Sequence, residues 1–181
     1  EGKSITISNL SIVLAQGGLR TLLIDGDMRR SAIHKIFGIK KEPGLCNLLR
    51  ENIELKNAIM TFTDILTGEI GFDEALKVPG LDNLSILTSG SSTTLPAELL
   101  ASSEMAELFQ KLRDRYDLIL IDSPPVMAVA DAVILSSKVD GVILVYNVGK
   151  TARSVLLRTK TQLEESGAQV KGVILNNLST E

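Results

Sequence analysis

Three polar groups along the chain have the residue types that bind phosphate and magnesium. The first is Gly2-Lys3-Ser4, which has the order found at the end of a phosphate-binding loop, G-x-x-x-x-G-K-[ST]. In such a loop the glycine admits a phosphate to the backbone, the lysine binds the β- and γ-phosphates, and the serine hydroxyl binds Mg²⁺. A helix must follow directly, and residues 4–16 have helical spacing. The triplet alone is a weak signal, and a solvated N-terminal tail is the alternative.

The second group follows an apolar run in LLIDGDMRR, where Asp25 and Asp27 flank a glycine and Arg29-Arg30 come next. Carboxylates at the end of a strand can hold Mg²⁺ or its waters, or accept a proton from an attacking hydroxyl. The Arg29 guanidinium can bind phosphate or the carboxylate of a partner. A solvent-facing turn with a salt bridge is the alternative for this stretch.

The third group is LILIDSPP, an apolar run that ends at Asp122 and is followed by Pro124-Pro125. This is a Walker B pattern, in which the aspartate helps to hold Mg²⁺. An aspartate in an ordinary strand-end turn is the alternative. The three groups in this order predict a site for a magnesium–nucleotide complex much more strongly than any one of them.

The elements that must position these residues are short apolar runs alternating with helical stretches. Continuous rather than alternating apolarity indicates strands buried on both faces, as in a parallel sheet. The pattern therefore predicts an α/β fold with a doubly wound, mostly parallel sheet and helices on both faces. The predicted strands are 20–27, 84–90, 117–125, 140–149 and 171–177, and the predicted helices are 4–16, 96–115, 131–138 and 151–166.

In a doubly wound fold, ligands bind outside the carboxyl ends of the strands. Candidate residues that fall at those ends are Asp25, Asp27, Gly90, Asp122 and Asn176. Residues 42–80 are less regular, and we expect short helices over this rim. Thr151 and Asp131 are expected to cap the helices that they begin, while Gly17-Gly18 and Gly167 should end two helices.

Composition excludes several classes of function. A chain of 181 residues with a net charge of −3 fits one soluble domain and offers no general attraction for nucleic acid. The single cysteine, Cys46, excludes an internal disulfide and a multi-cysteine metal site, and is expected to be buried. The single histidine, His34, is expected to be a surface or packing residue on a short helix. No apolar run approaches the roughly 20 residues of a membrane span.

Taken together, EGKS, LLIDGDMRR and LILIDSPPV resemble the Walker A, A′ and B motifs of bacterial tyrosine kinases, the P-loop kinases of capsule and exopolysaccharide export. The resemblance extends over nearly the whole chain, through EPGLCNLL, TSGSSTTLPAELLASSEM and DGVILVYNVGKTARS. Its most specific element is Asp-x-Asp-x-Arg, which is Asp25, Asp27 and Arg29 here. That pattern distinguishes the family from partition-type ATPases of the same fold.

The resemblance implies ATP and Mg²⁺ as ligands and assigns roles to individual residues. It places Lys3 on the β- and γ-phosphates, and Asp25 and Asp27 on Mg²⁺ and the incoming tyrosine hydroxyl. The remaining contacts to the nucleotide would come from Gly2, Ser4, Thr6, Arg29 and Asn176, with Ser4 and Asp122 also on Mg²⁺ and Asn176 near the adenine.

The activity implied is that of a tyrosine autokinase at the cytoplasmic face of the membrane. Its implied partners are a membrane-embedded activator, fused or separate, and further copies of itself, with no nucleic acid. Two alternatives stay open at this point: a partition-type ATPase switch, and a non-catalytic nucleotide-binding scaffold of an export complex.

Some residues depart from the family pattern. Ile5 stands where threonine is usual, although Thr6 is kept, and Ser31 stands where proline is common. Residues 51–80 form a longer segment than usual, and no tyrosine-rich tail precedes Glu181. Because the strand that should lead into the phosphate loop would lie upstream of Gly2, we expect residues 1–181 to be a single kinase domain taken from a longer chain.

Overall fold

Two compact units make up the chain, one of residues 4–123 and one of residues 1–3 with 124–181. The computed structural model describes residues 2–51, 53–62, 64 and 79–178. The single domain expected over 1–181 stays a prediction. Among the residues described, no helix is both long and apolar enough to cross a bilayer.

The larger unit contains a four-stranded sheet and most of the helices. Its strands are β1 (Thr21–Asp25), β2 (Ile59–Thr61), β3 (Leu84–Leu87) and β4 (Leu118–Asp122). Its helices are α1 (Lys3–Gln16), α2 (Ile33–Ile36), α3 (Leu45–Glu51), α4 (Leu55–Ala58), α5 (Pro96–Ala101) and α6 (Ser103–Arg113).

The sheet has the order β2-β3-β1-β4, with β1 parallel to both of its neighbours. All residues of β1 are buried, as its continuous apolar run predicts. The doubly wound α/β prediction is therefore confirmed in its parallel core. At the far edge β2 pairs antiparallel with β3, so the segment 42–80 contributes a strand as well as the short helices expected there. Residues 63 and 65–78 of that segment lie outside the described residues.

Helix α1 packs against the sheet through small side chains. Ser8, Ser11 and Ala15 are buried, and Ala15 belongs to a core cluster with Leu23 and Ile86. The hydroxyls of Ser8 and Ser11 donate to backbone carbonyls of the same helix, each at 2.7 Å. Because the buried side chains of α1 are small, the helix can approach the sheet closely. Because both serine hydroxyls are hydrogen-bonded, no unpaired hydroxyl is buried.

The helix predicted over 96–115 is wrong as a single element, because it is interrupted at Ser102. Ser102 adopts an extended backbone with ψ of 163°, and its side chain accepts a hydrogen bond from the Met105 N–H. This is N-cap geometry, so α6 starts anew after α5. The hydroxyl of a serine between two helical patterns can accept from a backbone N–H and so start a new helix. Helical spacing alone does not reveal this.

The smaller unit is built on a two-stranded parallel sheet. Its strands are β5 (Val142–Asn147) and β6 (Val170–Asn176), and its helices are α7 (Asp131–Ser136) and α8 (Arg153–Glu165). Leu144, Leu163 and Ala168 form a buried cluster between α8 and the sheet. The strand and helix predictions for this part of the chain are confirmed to within a few residues.

Both helix caps predicted in the smaller unit are wrong. Helix α8 is preceded by Ala152 in the N-cap position and has no side-chain cap. The Thr151 N–H donates to the carbonyl of Asn147 at 3.1 Å. Thr151 thus belongs to the turn after β5. Helix α7 follows Ala130, so Asp131 is its first residue, with a fully buried side chain, rather than its cap.

In the larger unit, the start of α3 is hydrogen-bonded to the chain that follows β3. The N–H groups of Leu45 and Cys46 donate to the carbonyls of Thr88 and Ser89, at 2.8 and 2.9 Å. Gly44 lies at the point of closest approach, where an added Cβ would collide with the backbone of Thr88 and Gly90. The carboxyl end of β3 is therefore held by a contact that only glycine permits.

We expect Gly44→Ala to lower the free energy of unfolding by about 1–3 kcal/mol, because the new methyl group must displace backbone atoms rather than a flexible side chain. Urea denaturation of the full-length protein measures this change. Gly172→Ala is the matched control, since nothing lies within 4 Å of the position its Cβ would take. Equal stability of the two variants would contradict the close contact at Gly44.

Candidate functional site

Two carboxylates lie side by side at the carboxyl ends of neighbouring strands. Asp25 ends β1 and Asp122 ends β4, and the two residues are Cα partners in the parallel register. Register partners project their side chains to the same face of a sheet. Both are buried, at 0% and 3% exposure. The structure therefore brings together two of the acids predicted for the magnesium site.

The burial of this acid pair changes its electrostatics. The pKa of Asp25 is raised to about 7, mainly because burial removes water from the carboxylate and next because of the negative charge on Asp122. Backbone N–H groups of Ile33 and Asp27 oppose the rise but do not cancel it. Near neutral pH the site consequently favours a proton or a cation beside Asp25.

Magnesium fits this donor set. Mg²⁺ keeps several waters and usually takes one or two carboxylates together with phosphate oxygens, rather than a cage of protein ligands. Within the described ranges, no cluster of three or more His, Cys, Asp or Glu side chains is arranged to hold a metal by itself. A buried pair at the mouth of the sheet thus suits a metal that arrives with a phosphate group.

Both aspartates of the Asp-x-Asp-x-Arg pattern also shape the loop that follows β1. Asp25 accepts hydrogen bonds from the N–H groups of Asp27, Ala32 and Ile33, each at 3.2 Å. Nothing in the sequence pattern reveals this bonding across the loop. It ties the conformation of residues 26–33 to the carboxyl group of Asp25.

Asp27 organises the turn that carries the two arginines. Its Oδ1 accepts from the N–H groups of Arg29 and Arg30, at 3.1 and 2.8 Å. Asp27 is half-buried and both arginines are exposed. Aspartate is typical of such a turn, in which its carboxylate accepts from backbone N–H groups whatever side chains those residues carry.

Gly2, predicted to end a phosphate loop, leads directly into a helix. Gly2 has a positive φ of 85°, and helix α1 begins at Lys3 without an intervening tail. Ser4 and Thr6 are half-buried residues of its first turn. Ile5, the departure from the family pattern, is 60% exposed. The start of α1 is thus a helix N-terminus with a lysine and hydroxyl groups, which favours anions.

Asn176 ends β6 in the smaller unit, where it lies against Gly2. A Cβ added at Gly2 would meet the Asn176 amide nitrogen, and the positive φ of Gly2 is what favours glycine there. The predicted site residues are divided between the two units of the chain. Gly2, Lys3 and Asn176 belong to the smaller unit, while Ser4, Thr6, Asp25, Asp27, Arg29 and Asp122 belong to the larger one.

Other candidate residues behave as packing groups. Cys46 is buried, as expected. His34 lies on the short helix α2, and burial together with the charges of Lys35 and Lys41 lowers its pKa. Tyr146 lies within β5 and donates its hydroxyl to the Thr151 carbonyl at 2.6 Å. Nothing in the strand pattern singles out Asn147, which ends β5 as the Cα partner of Asn176.

Comparison with known proteins places the chain in a family. A family model described as an AAA domain matches residues 1–169. Tyrosine-protein kinase YwqD of Bacillus subtilis is 35% identical over 97% of this chain and 67% of its own length. Tyrosine-protein kinase ptk of Acinetobacter johnsonii is 32% identical and tyrosine-protein kinase etk of Escherichia coli K12 is 35% identical, each over 98% of this chain. The chain spans only 22% of the length of ptk and of etk.

Solved structures similar to this chain include kinase domains of the same kind as these relatives. The VpsO kinase domain is 38% identical with a TM-score of 0.85, over 99% of this chain and 80% of that one. The kinase domain of E. coli ETK is 30% identical with a TM-score of 0.86, over 99% and 64%. The cell division ATPase MinD of Pyrococcus furiosus, at 22% identity and a TM-score of 0.72 over 96% and 66%, shares the fold alone. The chain therefore belongs to the P-loop family of bacterial tyrosine-protein kinases.

Proposed function

We propose that this chain transfers the γ-phosphoryl group of ATP to a tyrosine hydroxyl. The observation that carries the proposal is the buried Asp25–Asp122 pair, joined to a loop in which Asp27 and Arg29 complete the Asp-x-Asp-x-Arg pattern. Relatives named tyrosine-protein kinases, such as YwqD, support the same assignment. Phosphoryl transfer needs mainly positioning and neutralised charge, and these residues supply both.

Residues at the start of α1 would bind the phosphates. The Lys3 ammonium would neutralise the β- and γ-phosphates, and the backbone at Gly2 and the Ser4 and Thr6 hydroxyls would orient them. The exposed Arg29 would add a second cation on the acceptor side. Ile5 is exposed and offers no hydrogen bond, so phosphate contacts in this turn would fall to its neighbours.

The aspartates would bind the metal and accept the proton. Ser4, Asp25 and Asp122 would hold Mg²⁺, which when bound supplies positive charge to the phosphates. Asp27 is half-buried, unlike Asp25, and would accept the proton of the tyrosine hydroxyl. The tyrosine oxygen then bonds to the γ-phosphorus, and the bond from that phosphorus to the β–γ bridging oxygen breaks. The products are phosphotyrosine and ADP, with the proton on the carboxylate.

The biological setting is proposed from the family. We place the chain at the cytoplasmic face of the membrane, with a membrane-embedded activator and further copies of the chain as partners, in the control of polysaccharide chain length and export. Tyr116 and Tyr146 are poor targets for its own activity, because both are half-buried and Tyr146 is fixed in β5. The acceptor tyrosine is therefore expected on a segment or molecule other than residues 1–181, which contain no further tyrosine.

A partition-type ATPase switch is the second candidate, favoured by the fold shared with MinD. Its chemistry needs the same phosphate loop and Walker B aspartate but activates water in place of a tyrosine. The loop that Asp25 and Asp27 organise, with its two exposed arginines, favours a peptide acceptor over a water molecule. A non-catalytic scaffold is the third candidate, which would bind the nucleotide without hydrolysing it or transferring its phosphoryl group.

Asp25→Asn should change how stability depends on pH. The pKa of Asp25 is raised to about 7, above an unfolded value of about 4. A raised carboxyl pKa contributes stability that is complete below the unfolded value and is lost as pH rises through the folded one. Urea denaturation without Mg²⁺ should therefore show the wild type losing stability relative to the variant from about pH 5 to about pH 7, with little further change above that.

Asp117→Asn is the matched control for this titration. Hydrogen bonds from Arg20 lower the pKa of Asp117 to about 2. The stability that the Asp117 carboxylate contributes is therefore lost only in much stronger acid. The stability gap between Asp117→Asn and the wild type should stay constant over the same pH range. Added Mg²⁺ should reduce the loss in the wild type and leave Asp25→Asn unchanged. A pH-independent gap for Asp25→Asn would contradict the electrostatics of the acid pair.

Lys3→Met should abolish phosphotyrosine formation, because it removes the cation on the transferred phosphates. We expect a loss of at least about 100-fold with Mg-ATP and a tyrosine-rich peptide, measured on the full-length protein with an anti-phosphotyrosine readout. Lys40→Met removes an exposed lysine and should leave the rate unchanged. ATP hydrolysis without phosphotyrosine would establish the partition-type switch, and nucleotide binding without turnover would establish the scaffold.

A further inference from the structure

A small cavity in the larger unit combines hydrogen-bond donors with apolar side chains. It has a volume of about 260 Å³ and lies between α3 and the segment that leads from β3 into α5. Pockets that enclose a whole small-molecule ligand measure about 300–1,000 Å³, so this cavity suits a single side chain rather than a nucleotide. The residues that line it are Arg50, Ser92, Thr93, Thr94, Leu95 and Leu99.

The polar side chains that line this cavity can all donate hydrogen bonds, and none of them is a carboxylate. The Arg50 guanidinium is exposed and has no ion pair or hydrogen bond with any residue that the structure describes. The Ser92 hydroxyl accepts from the Lys41 ammonium at 3.4 Å. The Thr93 hydroxyl accepts from the Leu95 N–H at 3.1 Å. Both hydroxyls keep a proton to donate, so the donor set favours an anionic ligand.

Hydrogen bonds already join the two segments that carry these donors. The Asn47 side chain on α3 accepts from the N–H of Ser91, which directly precedes Ser92, at 3.0 Å. Its amide nitrogen donates to Glu51 at 3.0 Å, so the carboxylate that follows Arg50 in the chain is engaged elsewhere. Segments that are fixed in this way lose less conformational entropy when a ligand binds.

The two leucines give the cavity an apolar wall. Leu95 is 52% exposed, and Leu99 lies one turn further along the chain in α5. An apolar wall beside a guanidinium and hydroxyl groups suits a ligand with an apolar body and an anionic end. A phosphotyrosyl side chain has this form, because its phenyl ring carries a phosphate with a charge of about −2.

The segment that carries the hydroxyls leaves the sheet beside the acid pair. Strands β1 and β3 are parallel, with Ile24 and Leu87 as Cα partners. The chain that follows β3 therefore starts at the edge of the sheet where Asp25 ends β1. The cavity and the proposed transfer site are thus connected to the same end of the parallel sheet.

We propose that this cavity binds a phosphotyrosyl side chain, with the Arg50 guanidinium and the three hydroxyls on the phosphate and the two leucines against the ring. The inference rests on the proposed function, whose product is phosphotyrosine. On a tyrosine-rich acceptor, the first phosphorylated tyrosine would hold the segment on the kinase while further tyrosines are phosphorylated.

The test measures the binding of labelled peptides to the full-length protein without ATP, by fluorescence polarisation. The peptides share one sequence and carry tyrosine, phosphotyrosine or phosphoserine at the same position. We expect phosphotyrosine to bind at least about tenfold more tightly than tyrosine, because only the phosphate engages the donors. It should bind about threefold or more tightly than phosphoserine, because only the ring contacts the leucines. Inorganic phosphate, which lacks the ring, should compete weakly.

Three variants locate the bound peptide. Arg50→Gln should weaken binding of the phosphotyrosine peptide about tenfold or more, since it removes the charged donor. Arg115→Gln is the matched control, an exposed arginine outside the cavity, and should leave the affinity unchanged. Leu95→Ala should reduce the preference for phosphotyrosine over phosphoserine and keep the preference over tyrosine.

Equal affinities for the phosphotyrosine and phosphoserine peptides would overturn the proposal, and so would equal losses in Arg50→Gln and Arg115→Gln. Binding that Lys3→Met abolishes and Arg50→Gln spares would place the peptide at the nucleotide site and would overturn it too. Peptide binding needs no turnover, so its failure is distinguishable from a failure of the proposed function, which the assay of phosphotyrosine formation detects. Peptide binding of the expected pattern without phosphotyrosine formation would support the cavity and contradict the proposed function.

Discussion

The alignment of β1 with β4 is the constraint on which the rest of the site depends. Because Asp25 and Asp122 are register partners, parallel pairing forces two carboxylates into the same buried end of the sheet. Burial and repulsion raise the pKa of Asp25 to about 7, so the fold is weakened by its own site when no cation is present. The apolar core of β1 must offset this cost. A locally unfavourable arrangement held by a favourable core is typical of a functional site.

The Asp25 carboxyl group also fixes the geometry of the loop after β1. Three backbone N–H groups between residues 27 and 33 converge on Asp25, and the Gly26 N–H donates to the carbonyl of Asp122 at 2.8 Å. Whatever changes the charge on Asp25 therefore changes the hydrogen bonds that hold this loop. Under the proposed function, binding a cation at Asp25 would therefore be coupled to the positioning of Asp27 and its neighbouring arginines.

The sequence predicts the parts of this arrangement that depend on local pattern. Continuous apolar runs locate the strands, and strand-end position locates Asp25 and Asp122, because both signals lie within a few residues. It fails where a distant contact decides the outcome. The edge strand Ile59–Thr61 exists only because β3 is there to pair with it. Helical spacing alone also does not locate the break at Ser102 or the start of α8 at Arg153 after Ala152.

Fold similarity cannot separate the kinase from the ATPase switch, since MinD shares the sheet at 22% identity. Both activities need a cation on the phosphates and a Walker B aspartate, so the roles proposed for Lys3 and Asp122 would not distinguish the two. The difference must lie where the acceptor enters. Asp25 is fully buried and engaged by backbone donors, whereas Asp27 is half-buried and precedes two exposed arginines. We therefore propose that the loop of residues 26–33 selects the acceptor, while the sheet holds that loop in place.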